Sequence, residues 1–288
     1  MLSQLAYALS YVRGKDVAGR DFHVHPDDTF LVSYPKSGST WARFLLAALV
    51  HPKETVDFRS IDRLLPSVAA QSRRQLRNMQ RPRLIKSHEY FDVRYQNVIY
   101  VVRDPRDVVR SQFRFFLKRG KIDEGYSMDH YVDRFIKGDL NTYGSWGENV
   151  GSWLVAQHSG SVRRFLLLRY EDMLSQTAQE LSRVADFLRL QIPAEHLNRC
   201  VELGAADRMR ELEKKDGGTS VVAAGRRDVP FVGAAKAGGW KSGLTPDQVA
   251  KIEGAWGPLM KHLGYGLASN TTLPSSGIVD AIMEQPVR

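Results

Sequence analysis

The chain has 288 residues, 43% of them hydrophobic and 25% charged, which is enough apolar content for a packed core and excludes disorder as the main state. The length suits one large domain or two small ones. Lys and Arg exceed Asp and Glu by 41 to 32, a formal charge of +9, and the lone cysteine, Cys200, excludes a disulfide framework and a cysteine-rich zinc site. A single thiol fits a reducing compartment, and the cytoplasm is the expected location. The longest apolar stretch, Trp41 to Val50, is broken by Arg43 and falls short of the roughly 18 residues a transmembrane helix needs. The positive balance leaves nucleic acid, anionic lipid and a small polyanion open as partners.

Leu2, Leu5, Ala6, Leu9 and Val12 repeat at helical spacing with no basic residue ahead of them. The expectation is an amphipathic helix within residues 1–25, packed on the body of the protein and not a signal peptide, with peripheral membrane contact as the alternative. Four β-rich runs follow, at Thr29 to Ser33, Arg83 to Ser87, Asn97 to Val102 and Arg164 to Leu168. The third, Asn-Val-Ile-Tyr-Val-Val, has no polar alternation, as in a strand buried on both faces. Helical patterns occupy Thr40 to Val50, Arg106 to Leu117 and Thr177 to Leu188. Strands alternating with helices predict a single α/β domain, residues 26–268, with a central parallel sheet flanked by helices. Near its end Thr245-Pro246-Asp247-Gln248 reads as a capping box with proline at the first helical position. The Gly- and Ala-rich stretch from Gly217 to Gly239, carrying Arg226, Arg227 and Lys236, reads as a mobile basic loop, and residues 269–288 as a loose tail.

The first strand runs into Tyr34-Pro35-Lys36-Ser37-Gly38-Ser39-Thr40-Trp41, where a helix begins. Such a strand–loop–helix turn aims backbone N–H groups and the positive end of the helix dipole at one point. Lys36 adds a cation, Ser37, Ser39 and Thr40 add hydroxyls, and Gly38 lets the backbone approach an anion closely. The loop is P-loop-like without being a Walker A motif, because its lysine precedes the only glycine.

The third strand ends in Arg103-Asp104-Pro105-Arg106-Asp107, which places Arg103 where open α/β sheets bind ligands. A structural ion pair between Arg103 and Asp107 is the alternative, and Arg106 and Arg110 are expected on a solvated helix face. Ser111 follows about two turns along the helix. The second strand delivers Lys86-Ser87-His88 at its end, and His88 there can take a proton from a hydroxyl near neutral pH. The other seven histidines read as ordinary surface or core residues. None pairs at helical metal-ligand spacing with a carboxylate partner, so no metal is expected.

In order along the chain, these segments resemble the sulfotransferases that use 3′-phosphoadenosine 5′-phosphosulfate (PAPS), from about Phe30 to Gly264. Tyr34 to Trp41 is similar to the family's 5′-phosphosulfate loop. Val101 to Asp107 with Ser111 is similar to its 3′-phosphate site, and Lys86-Ser87-His88 to the segment that carries the base. Leu168-Arg169-Tyr170-Glu171-Asp172-Met173 resembles a segment whose tyrosine contacts the adenine side, and Gly238-Gly239-Trp240-Lys241 a late Gly-Asp-Trp-Lys signature. The resemblance implies sulfuryl transfer to a hydroxyl by in-line displacement, without a metal, leaving adenosine 3′,5′-bisphosphate (PAP). It implies catalytic roles for His88, Lys36, Lys86 and Ser111. Donor contacts would come from Lys36, Ser37, Gly38, Ser39, Thr40, Trp41, Arg103, Ser111 and Tyr170.

Two departures stand out. The family's Arg-Lys-Gly at the 3′-phosphate falls on Gly233, Ala234 and Ala235, so Arg226, Arg227 or Lys236 is the expected substitute. An aromatic residue over the adenine falls on Ala206, ahead of Met209-Arg210-Glu211-Leu212, and a dimer segment after Lys241 is broken. A nucleotide-kinase-like phosphotransferase and a catalytically weak anion-binding member are the rival readings. The basic residues are spread along the chain with no nucleic-acid-binding signature, so nucleic acid is not an expected partner. The acceptor, a small molecule or glycolipid hydroxyl, depends on loops near Phe58 to Gln80, Phe113 to Tyr143 and Val221 to Lys236. Phe113, Phe115 and Phe116 read equally as an apolar pocket or as core. The cluster Arg73, Arg74, Arg77, Arg81 and Arg83 reads as a solvated helix face, with an acidic acceptor or a lipid surface as the alternative.

Overall fold

Four short strands carry the architecture, and each is built on a short apolar stretch: β1 (Thr29–Ser33), β2 (Leu84–Ser87), β3 (Asn97–Val102) and β4 (Arg164–Arg169). The structure is a computed structural model and describes residues 18–215, 225–226, 228–233 and 235–269. The helical repeat at Leu2 to Val12 lies outside the described residues, as do Arg227, Ala234 and the tail beyond Ser269.

The strands form one parallel sheet in the order β2-β1-β3-β4. Register pairs Val32 with Ser87 on one side of β1 and with Tyr100 on the other, and Val102 with Arg169. Side chains alternate across the sheet and divide the interior in two. Phe30, Val32, Val98, Tyr100 and Val102 face one core, and Leu31, Ile99 and Val101 face the other. Every residue of β3 is buried, as its unbroken apolar run requires.

Helix α1 (Ser39–Val50) covers the second face together with α8 (Thr177–Leu188) and α9 (Ala194–Leu203). Ala42, Phe44, Leu45, Leu46 and Leu49 of α1 are buried there, each such large side chain stabilising by about 1.5–3 kcal/mol. Between β1 and β2 lie the short α2 (Ile61–Leu64) and α3 (Arg73–Arg77). The first face carries α4 (Pro105–Lys118), α5 (Met128–Lys137), α6 (Trp146–His158) and α11 (Pro246–His262). The short α7 (Tyr170–Ser175) follows β4, and α10 (Ala206–Lys215) follows α9. The capping box of α11 is present, with Thr245 accepting from Gln248 N and the Gln248 side chain returning to the Thr245 N–H. Ala18 and Phe22 are buried in the first core, so the chain packs against the domain before residue 26.

Arg106 corrects the expectation of a solvated helix face. It is 2% exposed, forms a buried ion pair with Asp104 at 2.6 Å and another with Glu253 of α11, and lies over the Trp240 ring at 3.8 Å. Its partners stand 2 and 147 residues away, and only the second needed the tertiary fold. Arg83 likewise leaves the solvated cluster, pairing with Asp28 in the interior, while Arg81 pairs with Asp27 at the surface. The three phenylalanines divide: Phe116 is buried, Phe113 meets Tyr131 edge-on at 5.1 Å, and Phe115 faces the loop after β1.

Candidate active site

The loop after β1 ends at the N-terminus of α1, where Gly38 adopts φ 93° and no side chain caps the first turn. That turn contains no acidic residue either, so its N–H groups are free for an external anion. The Ser37 hydroxyl is buried and has no hydrogen-bond partner among the described residues. A Cβ on Gly38 would stand 2.7 Å from Tyr170 Cε2, so glycine is required both for the backbone conformation and for the seat of that ring.

Tyr170 is the centre of a small aromatic and cationic assembly. Trp41 meets it edge-on at 5.6 Å, and the Arg103 guanidinium lies over its other side at 4.2 Å. Trp41 is fixed from α1 by its indole N–H, which donates to Gly204 O at 2.7 Å. Arg103 leaves the end of β3 and donates to Lys36 O at 3.2 Å and Lys236 O at 3.3 Å, while its Nε is buried with no partner among the described residues. It does not pair with Asp107, whose carboxylate instead accepts from Gly238 N at 2.7 Å and Trp240 N at 2.8 Å. Asp107 thus docks the Gly-Gly-Trp turn (the 3-10 helix Gly239–Ser242) onto α4, a role that its separation from Trp240 in sequence concealed.

Lys36 has a left-handed backbone, φ 72°, and its Nζ rests on aromatic faces, 4.3 Å from the Phe115 centroid and 5.6 Å from that of Phe231. Burial, and then the neighbouring Arg103, Arg119 and Arg114, push its pKa down to about 8. Phe231 is held in place by Glu213 of α10, which accepts from Phe231 N at 2.6 Å and Val232 N at 2.8 Å. The sequence carried no signal for Glu213, because its partners lie in a loop without periodicity.

His88 and Lys86 stand at the end of β2, on the opposite side of β1 from Arg103. His88 Nδ1 donates to Ser33 O at 2.6 Å, which leaves Nε2 as the unprotonated nitrogen. Burial first, then the Lys86 charge, hold the imidazole well below its usual pKa, with the Ser33 hydrogen bond opposing them. Tyr143 flanks the ring at 5.5 Å. Lys86 is also held well below the ordinary lysine range, by burial and by Arg43, and Asp62 offsets part of this. Ser111 lies half-buried on α4, one turn before Phe115.

Arg226 does not join this group: its guanidinium is held by Glu124 at 2.5 Å and Asp228 at 2.5 Å. Lys236 does reach it through its carbonyl to Arg103. Asp104, the carboxylate that follows β3, is engaged by Arg106, which removes the metal ligand a phosphotransferase would place there.

The family profile described as the sulfotransferase domain matches residues 26–264. The chain belongs to the sulfotransferase family. Its class is accordingly that of a PAPS-dependent sulfotransferase. This sulfotransferase is 27% identical over 249 residues to sulfotransferase 1 family member D1 of Mus musculus, covering 81% of this chain and 83% of that one. It is 28% identical to sulfotransferase 1E1 of Bos taurus, over 78% and 80% of the two chains. Among solved structures, mouse SULT7A1 complexed with PAP superposes with a TM-score of 0.68 at 21% identity, covering 85% of this chain and 87% of that one. Retinol dehydratase in complex with androsterone and PAP gives 0.69 at 17% identity, over 92% and 88%. These likenesses show the shared fold.

The residues present fit the donor's anionic groups on three observations: an uncapped helix start, an unpartnered buried Ser37 hydroxyl and an unpartnered buried Arg103 Nε. The Gly233 to Ala235 segment adds no charged side chain, and Gly233 O accepts instead from Arg210 at 3.3 Å.

Proposed function

We propose that this sulfotransferase moves the sulfuryl group of PAPS to a hydroxyl of a small-molecule acceptor in the cytoplasm, with His88 as the general base. The observation that carries this reading is the 2.6 Å contact between His88 Nδ1 and Ser33 O: a carbonyl can only accept, so the proton belongs on Nδ1 and the lone pair on Nε2. An imidazole held neutral by burial accepts a proton at neutral pH without first having to lose one.

The donor supplies the sulfuryl group and a phosphate leaving group. The N–H groups of the first α1 turn and the hydroxyls of Ser37, Ser39 and Thr40 take its phosphosulfate end. Arg103 and Ser111 take the 3′-phosphate, and Tyr170 and Trp41 offer their rings to the adenine side. As the acceptor oxygen bonds to sulfur, His88 Nε2 receives its proton. Lys36 and Lys86 stabilise the charge that builds on the departing oxygen and on the transferring group. This role requires Lys36 to leave Phe115 and turn toward the α1 N-terminus. The Nζ makes no hydrogen bond that would oppose the turn among the described residues.

The test is His88→Ala. Turnover with PAPS and a panel of phenols and alcohols is expected to fall by roughly 10²–10⁴-fold, with calorimetric PAP affinity retained. Turnover that survives the substitution refutes the base assignment, and turnover abolished by a chelator refutes the metal-free reaction.

A further inference from the structure

The cationic character of the cleft extends past Lys36 to the last turn of α4. Arg119 stands at the C-terminal cap of that helix, its N–H bonded to Phe115 O at 3.0 Å. Its guanidinium lies over the Phe115 ring, Cζ 5.1 Å from the centroid, and the same ring carries Lys36 Nζ. The Arg119 Nε is buried and has no hydrogen-bond partner among the described residues.

The buried arginines show what half-buried Arg119 lacks. Arg43 has Asp62, Arg83 has Asp28, and Arg106 has Asp104 and Glu253. Glu124 and Asp228, two carboxylates in segments beside the end of α4, are both taken by Arg226. Two like charges on one ring repel, and the quadrupole of a phenyl face compensates them only weakly. An anion with paired oxygens between them would satisfy the guanidinium fork and relieve the repulsion.

We propose that Arg119 binds a carboxylate, phosphate or sulfate-ester group of the acceptor, so that the substrate class is acids that also carry a hydroxyl. The assignment rests on the sulfuryl-transfer reading above. The donor's anions already have partners without Arg119, in the α1 N-terminus, Arg103, which touches Lys36 O, and the Tyr170 ring over Gly38. Arg119 shares the Phe115 ring with the Lys36 Nζ, and its backbone stands at the C-terminal end of α4, about 20 Å along the helix from the end that follows Arg103. Arg114, one turn earlier and exposed, contributes charge to the same region.

The experiment uses the full chain with PAPS and two matched pairs of acceptors: para-hydroxyphenylacetate and its methyl ester, and ricinoleate and its methyl ester. The acid of at least one pair is expected to exceed its ester in kcat/KM by roughly tenfold or more. Arg119→Gln should erase that preference and Arg119→Lys should keep part of it, with PAP affinity by calorimetry unchanged within about twofold in both. Esters used as well as acids, or a preference that survives Arg119→Gln, overturn the proposal. A loss of PAP affinity in step with the preference makes Arg119 a donor contact and overturns it too, as does a wild type that binds PAP and turns over no acid. A wild type that does not bind PAP fails earlier, at the donor reading, and takes the proposal down with it.

Discussion

Replacing Gly38 with alanine perturbs the site through two separable terms. The backbone there sits at φ 93°, a conformation that costs a side-chain-bearing residue about 1–2 kcal/mol. The new methyl would also stand 2.7 Å from Tyr170 Cε2. That ring is 6% exposed, with Trp41 on its edge and Arg103 over its face, so it cannot swing aside freely. Overpacking of this kind costs about 1–3 kcal/mol, and together the terms predict a loss of about 2–5 kcal/mol in urea unfolding. PAP affinity should fall by roughly tenfold or more, since the same displacement moves the α1 N-terminus. Tyr170→Ala in the Gly38→Ala background removes the steric term and leaves the backbone term. The double variant should therefore be less destabilised than the sum of the single variants by about 1–3 kcal/mol. Additive effects, or a Gly38→Ala protein with stability within about 0.5 kcal/mol of wild type, would refute the claim that the ring rests on the glycine.

Other expectations follow from the same contacts. Lys36 is charged only below about pH 8, so kcat/KM should fall as pH rises through that value, and the limb in kcat should lie higher because bound anion favours the ammonium. His88 must be neutral to act and its pKa is lowered, so no acid limb should appear near 6.5, and the rate should hold as pH falls through 6.5. Asp107→Ala removes two hydrogen bonds to a carboxylate and should cost about 2–4 kcal/mol in urea unfolding and weaken PAP binding, whereas Asp107→Asn should recover one of the two. Arg83→Met leaves Asp28 buried and unpaired and should cost about 3–5 kcal/mol, read by the same melt.

Features set by neighbours in sequence were legible before the fold was known. The Thr245 to Gln248 box, the all-apolar β3 and the Lys-Ser-Gly-Ser turn each need only a few adjacent residues to be read. What stayed hidden depended on distant partners. Arg106 looked like one more surface charge because Glu253 lies 147 residues later. Arg83 and Asp28, 55 apart, meet only once β1 and β2 pair. Arg226 was a reasonable phosphate ligand by composition, yet two acids flank it in space. The strand order itself had no local signature, so the proximity of His88 to the loop was an inference and not a reading. Arg119 carried no signal at all: an arginine at a helix end is ordinary until its buried Nε is found without a partner among the described residues.

The order β2-β1-β3-β4 sends the chain to both sides of β1. Arg103, Tyr170 and the Gly-Gly-Trp turn hang from one side, and His88, Lys86 and the segments before β2 from the other. On the proposed reading, α4 serves both tasks, with Ser111 at the donor and Phe115 and Arg119 at the acceptor, while His88 and Lys86 approach the reacting group from the far side of β1. Arg119, two turns beyond Ser111, can change without altering Arg103, Tyr170 or the α1 N-terminus. On that reading, a fold wired this way lets the acceptor end of α4 change over evolutionary time while the donor chemistry is inherited intact.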